Sequence, residues 1–329
     1  MAHCPYAGRM EASQPAVARQ ILTLTVNPAL DVSTSTEEVV SVHKLRCAAS
    51  RVDPGGGGVN VSRVVHRLGG RSIAMYTAGG PVGEAYRRLI EAEHLPSLVV
   101  PIQGSTRENF TVDETSTGKQ YRFVLEGPEL SEAEWRGCLD LVAQAVPTGG
   151  YVVASGSLPP GVPDDFYARV VRLARQVGAH CIVDTSGPAL REALAEGVFL
   201  VKPSKRELGE YLGASLGSEQ EEVEAASELV AAGAAQYVAL TLGDAGAVLA
   251  SKSGVLRLPV PAVQVRSTVG AGDSFLAAFV LRLAQGRTAE EAFRAAVAAG
   301  SAAVMSPATE LCHREDVERL EAGLSASTP

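Results

Sequence analysis

The chain has 329 residues, 46% of them apolar, enough to bury a large core in one elaborated domain or in two. Its 37 acidic against 29 basic residues give a net charge of −8, which argues against a nucleic-acid partner and requires any anionic substrate to be met by a local cluster of positive groups. Cys4, Cys47, Cys138, Cys181 and Cys312 show no CxxC or metal spacing and read as reduced thiols of a cytoplasmic protein, and no apolar run is long enough for a membrane span or a secretory core.

Residues 1–20 mix Pro, Ala, Ser and charges and read as a frayed tail before one domain over 21–329. Residues 21–26 form a short β-rich run ending at Asn27-Pro28, which places Asp31 where ligands bind at the carboxyl end of a buried strand. Residues 32–52 alternate polar residues with Val and Leu, carry Lys44 and Arg46, and are expected as solvent-facing antiparallel strand. Asp53-Pro54-Gly55-Gly56-Gly57-Gly58 is expected to be irregular and to feed a helix over 59–68, closed by Gly69-Gly70.

A strand at 73–78, a helix at 83–93 and a strand at 97–102 give the alternation of a parallel sheet. The pattern then changes: 106–112 and 119–124 alternate polar with apolar across Ser116-Thr117-Gly118, a hairpin with two unlike faces. Paired with the earlier polar strands, it makes a small β lid from segments 32–52 and 106–126. Alternation resumes with helices at 131–145, 164–177, 188–196 and 218–232 and strands at 151–154, 181–184, 199–202 and 237–242. Two further strands, at 247–250 and 255–258, and an apolar helix at 290–304 follow.

The centre of the chain is Thr268-Val269-Gly270-Ala271-Gly272-Asp273-Ser274, a glycine turn into a strongly apolar helix that Asp273 is expected to begin. Backbone N–H groups at Gly270, Ala271 and Gly272, with the helix dipole, make a place for phosphate oxygens. Asp273 there can take a proton from a hydroxyl while those amides hold developing charge. The blander alternative is an N-cap aspartate.

The four glycines lack the Lys-Ser/Thr of a Walker loop and instead let a polyhydroxylated ligand approach bare backbone at Gly56 and Gly57, with Asn60 offering donor and acceptor. Lys44, Arg46 and Arg107, all on expected lid strands, form the cluster able to hold a phosphoryl group. Ser157 lies in a small-residue run, Ser155-Gly156-Ser157, at a strand end. Lys202 at another strand end, with Glu207 one helical turn on, suits phosphates and a water-bridged Mg²⁺. Thr241, Gly243 and Gly246 offer a second phosphate cradle. Taken singly, each of these is an ordinary loop or surface charge, and the six histidines show no ligand spacing.

Together and in this order, over about 21–320, these motifs resemble the PfkB branch of the ribokinase-like sugar kinases, and within it the bacterial 6-phosphofructokinases. The likeness rests on Leu-Thr-Val-Asn-Pro-Ala-Leu-Asp at 24–31, Pro-Gly-Gly-Gly-Gly-Val-Asn-Val at 54–61, Ala-Gly-Gly-Pro-Val-Gly at 78–83, Ser-Gly-Ser-Leu-Pro-Pro-Gly at 155–161 and Ser-Thr-Val-Gly-Ala-Gly-Asp-Ser at 267–274. It implies an α/β fold with a mostly parallel sheet flanked by helices and a β lid, a homodimer through the lids, and ATP-dependent phosphorylation of fructose 6-phosphate in glycolysis. By the same resemblance Asp273 is the base beside the anion hole of Gly270, Ala271 and Gly272. Asp31, Gly56, Gly57, Asn60, Lys44, Arg107 and Ser157 are sugar-phosphate contacts, Thr241, Gly243, Gly246 and Lys202 face the nucleotide, and Asp184 and Glu207 lie on the Mg²⁺ side.

Two positions depart from the family. Ser204 replaces the asparagine of its Asn-x-x-Glu signature, which bears on Mg²⁺ ordering. Ser306-Pro307-Ala308-Thr309-Glu310 replaces an amide, a glycine and a basic residue near a monovalent-cation loop, which bears on K⁺ as a further cofactor. The rival readings are a 1-phosphofructokinase or tagatose-6-phosphate kinase, and a sugar-phosphate sensor without turnover.

Overall fold

The computed structural model describes residues 18–307 and 309–326. Of the expected tail, residues 1–17 lie outside the described residues, whereas the Arg19 N–H donates to the Ala284 carbonyl at 2.9 Å. Cys4 lies outside them too.

The chain opens with β1 (Ile21–Thr25), β2 (Ala29–Thr36), β3 (Arg51–Gly55) and α1 (Gly57–Arg67). Next come β4 (Ile73–Ala78), α2 (Gly80–Ala92), β5 (Ser97–Pro101), β6 (Arg107–Glu114), β7 (Gln120–Val124) and α3 (Glu132–Ala145). The middle holds β8 (Tyr151–Ser155), α4 (Phe166–Gln176), β9 (His180–Asp184), α5 (Gly187–Glu196), β10 (Val198–Val201), α6 (Lys205–Leu212) and α7 (Glu219–Ala231). The last part is β11 (Ala235–Thr241), β12 (Ala247–Ser251), β13 (Gly254–Leu258), α8 (Ala271–Ala284), α9 (Ala289–Ala303) and α10 (Arg314–Ala326).

Nine strands form one sheet in the order β13-β12-β11-β10-β9-β8-β1-β4-β5, parallel except for β12 and β13. Each central strand is apolar on both faces, and the period of two sends alternate residues into different cores. Leu22, Leu24, Val152 and Val183 pack with α3, α4, α5 and α7, whereas Ile21, Val153 and Ile182 pack with α1, α8, α9 and α10. β1 hands the chain to a helix on one face and β8 to a helix on the other, so a crevice opens between their carboxyl ends.

Beside that crevice β3-β2-β6-β7 make a separate four-stranded sheet. Between β2 and β3, residues 37–50 are irregular and almost wholly exposed, so Lys44 and Arg46 are not on strands. Val, Leu and Ser there lack a neighbouring strand to bond, and alternation alone does not make one. The glycine run differs from expectation in the other direction: Asp53, Pro54 and Gly55 belong to β3, and Gly57 and Gly58 already belong to α1. Pro54 is tolerated because β3 is an edge strand that needs no second ladder. Gly57 is inside the helix because a Cβ would stand 2.1 Å from Ser155 Oγ, so the absent side chain lets α1 close onto β8.

Candidate active site

From β1 to β11 the parallel strands on one side of the crevice carry a polar residue at or just past their carboxyl ends: Asn27 after β1, Ser155 ending β8, Asp184 ending β9, Lys202 after β10 and Thr241 ending β11. Above them starts α8. Its N-cap is Gly270, left-handed at φ 75°, and Asp273 is the third helical residue with no capping bond. The expected start at Asp273 is therefore two residues late, and the capping alternative fails. The first intrahelical bond runs from Ser274 N–H to Gly270 C=O at 2.8 Å, so the N–H groups of Ala271, Gly272 and Asp273 precede the ladder.

Asp273 Oδ2 accepts from Asn60 Nδ2 at 2.9 Å, joining α8 to α1. Burial raises the Asp273 carboxyl above the ordinary value and Asp31 adds to this, while the Asn60 hydrogen bond and the charges of Lys202 and Arg122 hold it back. Lys202 Nζ lies 3.1 Å from Asp184 Oδ1, both side chains nearly enclosed. Burial pushes Asp184 up to about 6 against the pull of Lys202, and negative Asp273 and Glu207 push the same way. Burial opposes the charge of Lys202, but Asp184, Glu207 and Asp273 together raise its pKa and keep it an ammonium.

Two cavities meet at the first turn of α8. The first, about 320 Å³, is bounded by the small sheet and carries Asp31, Gly56, Gly57, Asn60, Arg107 and Ser157 together with Asp184, Glu207, Gly270 and Asp273. The second, about 700 Å³, is largely apolar, with Val260, Val263, Phe275, Val297 and Val304 in its wall and Thr241, Gly243, Gly246, Ala271 and Gly272 at its inner end. Lys44 and Arg46 reach neither.

In the first cavity Asp31 Oδ1 accepts from Asn109 Nδ2 at 2.9 Å, and burial raises the Asp31 carboxyl against that bond and the charges of Arg107 and Arg122. Arg107 donates to the carbonyls of Leu125 at 2.8 Å and Asn27 at 3.1 Å, leaving its buried Nε without a partner. Asn27 Nδ2 donates to Ser157 Oγ at 3.2 Å. Asn109 and Arg122 were not singled out from the sequence. The signal was present: Asn109 stands two residues after Arg107 on β6, and Arg122 faces Thr111 across the hairpin.

The pfkB family carbohydrate kinase model matches residues 28–316. ATP-dependent 6-phosphofructokinase isozyme 2 of Mycobacterium tuberculosis is 47% identical over 300 residues, 91% of this chain and 88% of the relative. The crystal structure of phosphofructokinase-2 from Escherichia coli in complex with potassium matches with a TM-score of 0.90 at 40% identity, covering 93% and 99% of the two chains. The same enzyme in complex with fructose-6-phosphate gives 0.88 at 39% over the same shares. The chain belongs to the pfkB family of carbohydrate kinases.

In this pfkB chain the Ser204 hydroxyl caps α6: it accepts from Glu207 N–H at 3.3 Å, and Glu207 Oε2 accepts from Ser204 N–H at 2.8 Å. Among the described residues no three His, Cys, Asp or Glu side chains are placed to hold a metal ion directly. Asp184 and Glu207 nonetheless line one cavity and repel each other, a donor set that suits a cation held through its waters. Thr309 and Glu310 bond to the small sheet instead: Thr309 Oγ1 donates to Asp53 at 2.6 Å, and Arg51 donates to Glu310 at 2.8 Å.

Proposed function

We propose that this kinase transfers the γ-phosphoryl group of ATP to a hydroxyl of fructose 6-phosphate, giving fructose 1,6-bisphosphate. The observation that carries the reading is the first turn of α8, with Asp273 in a polar cavity and Gly272 in an apolar one. A nucleotide base fits the second cavity and a sugar phosphate the first, so that donor and acceptor meet at the exposed amides.

Asp31 and Asn60 bind sugar hydroxyls, with the bare backbone at Gly56 and Gly57 letting them close in, and Ser157 completes the floor. Arg107 and Arg122 attract the sugar's own phosphate. Asp273 accepts the proton of the attacking hydroxyl, for which a raised carboxyl is the better base. The N–H groups of Gly270, Ala271 and Gly272 hold charge developing on the transferred group, and Lys202 stands beside them, its Nζ 3.3 Å from where a Cβ on Gly272 would lie. Thr241, Gly243 and Gly246 cradle the remaining phosphates. Asp184 and Glu207 hold Mg²⁺ through water, and its charge offsets that of the ATP phosphates.

Across the small sheet Val52, Val32, Phe110 and Phe123 pair in one continuous row, with Phe110 39% and Phe123 54% exposed. Such a row is covered when two copies meet sheet to sheet. Residues 37–50 then project toward the partner, which gives Lys44 and Arg46 a sugar phosphate to meet outside their own cavity. The small sheet is thus both lid and interface of a single domain. No helix of the described residues is long and apolar enough to cross a membrane, and the four described cysteines are free, as suits the cytoplasm.

ADP release across a panel of ketohexose phosphates, with ³¹P NMR of the product, is the test. The highest turnover with fructose 6-phosphate and a new phosphate on carbon 1 is expected, and no release with any sugar phosphate overturns the reading.

A further inference from the structure

Arg63 lies wholly inside the protein on α1, only 2% exposed, one helical turn after Asn60, and none of the chemistry above uses it. Its guanidinium is fully engaged. Nε donates to both oxygens of Glu93 at 3.0 and 2.8 Å, the second amine donates to the same carboxylate at 2.5 Å, and the first donates to the Pro54 carbonyl of β3 at 3.0 Å and to Asn60 Oδ1 at 3.3 Å. Asp53 is 3.7 Å away.

A guanidinium has only donors, so the atom of the Asn60 side chain that faces it must be the carbonyl oxygen. The amide nitrogen is then left on the other side, where it donates to Asp273. We infer that Arg63, clamped by Glu93, is a positioning residue that fixes the orientation of the Asn60 amide and thereby presents a donor, rather than an acceptor, to Asp273. The same guanidinium ties this alignment to the small sheet through Pro54.

Without Arg63 only Asp273 itself orients the Asn60 amide, and once that carboxyl is protonated it can donate to the amide oxygen as readily as it accepts from the nitrogen. A flipped amide points its oxygen at the Asp273 carboxylate and disfavours the charged form. The other groups that act on Asp273 stay in place: Lys202 after β10, Arg122 on β7, Asp31 on β2 and Asp184 on β9. The inference rests on the kinase reading only for its kinetic consequence.

The test is a ¹³C titration of the Asp273 carboxyl in the free protein, its signal assigned by loss in Asp273→Asn, alongside pH profiles of kcat/KM. Arg63→Met is expected to raise the titration midpoint by on the order of one pH unit. The acid limb of the profile should rise in step, and kcat near neutrality should fall by up to about 10²-fold with little change in the KM for ATP. Arg63→Lys, which keeps donors without the fork, restores part of the loss. A folded Arg63→Met with the wild-type midpoint overturns the inference, whatever its melting temperature. Should Arg63→Met not fold, Glu93→Gln decides, since it loosens the clamp and leaves the guanidinium: a higher midpoint supports the inference and an unchanged one overturns it. A shifted carboxyl in a wild-type protein that turns over no sugar phosphate sinks the kinase reading alone.

Discussion

The two cavities at the start of α8 are built in opposite ways. The polar one draws Asp31, Asn60, Arg107, Ser157 and Asp273 from five separate elements or connections, each held by a hydrogen bond or charge from another. The apolar one comes from a single stretch of chain, 241–304, extended only by Ser204, and depends on Val, Pro, Ala and Phe surfaces with few directed bonds. Directed bonds discriminate between ligands because an unmatched buried polar group is costly, whereas an apolar wall accepts any surface of suitable shape. Selectivity for the acceptor sugar should therefore be brittle to mutation and nucleotide binding tolerant.

The sharpest break in that contrast is at Asp273. Asn keeps its size and its bond partner but loses the negative acceptor, so turnover should drop by roughly 10² to 10⁴. Both ligands should still bind, and the melting temperature should stay near wild type because Gly270, not Asp273, caps the helix. Near-normal turnover would make the residue structural.

Lys202 comes next: it lines neither cavity, but it pairs with Asp184 of the polar one and stands behind Gly272 of the apolar one. Lys202→Met leaves Asp184 buried without its cation, a loss of roughly 3 kcal/mol that denaturant unfolding would read, together with weaker ATP binding. Unchanged stability would mean that Asp184 simply takes up a proton. The pH dependence of Asp184 has a definite sign. A carboxyl raised to about 6 in the folded state contributes stability that is full below its unfolded value and is lost as pH rises through about 6. The stability advantage of wild type over Asp184→Asn should shrink between about pH 4 and 7. An advantage that grows instead contradicts the assigned environment.

How much of this was legible follows the same division. The parallel sheet was readable because its buried strands are short apolar runs, and Asn60, Ser157, Asp184 and Asp273 fell at strand ends or on the helix starts beside them, whereas Asp31, expected at the end of β1, lies inside β2 of the small sheet. The strand expected under Lys44 and Arg46 does not form, because alternation in residues 37–50 imitates a strand where no partner strand is available. The glycine run reads as irregular because glycine has the widest conformational freedom, whereas the structure uses its missing side chains for close packing of α1 on β8. Arg63 stayed invisible for a different reason. Its importance lies in what it holds, and a hydrogen bond between residues far apart in sequence, such as that to Glu93, leaves no local pattern.

Arg107 sharpens the polar side. Its side chain bonds two carbonyls and retains a buried, unpartnered Nε, so Arg107→Ala should raise the KM for the sugar phosphate well above any change for ATP. A charge-assisted contact of this kind is worth roughly 1.5 to 3 kcal/mol. Equal effects on both substrates would show that the residue supports the fold of the small sheet and not the ligand.

The smallest effect is expected at Ser204, on the border between the cavities. Its hydroxyl and N–H are both occupied by the capping box with Glu207, so one oxygen of Glu207 is committed, while Oε1 lies 3.9 Å from Arg206 and the residue lines the polar cavity. Asn caps a helix about as well as Ser, so Ser204→Asn should leave stability within about 0.5 kcal/mol. The longer amide can cap and also reach toward a water of the metal, which should lower the free Mg²⁺ needed for half-maximal turnover, by up to about tenfold. Magnesium titrations of the two proteins at fixed ATP read this directly. Superimposable curves would mean that Glu207 orders the water unaided and that the hydroxyl serves the helix alone.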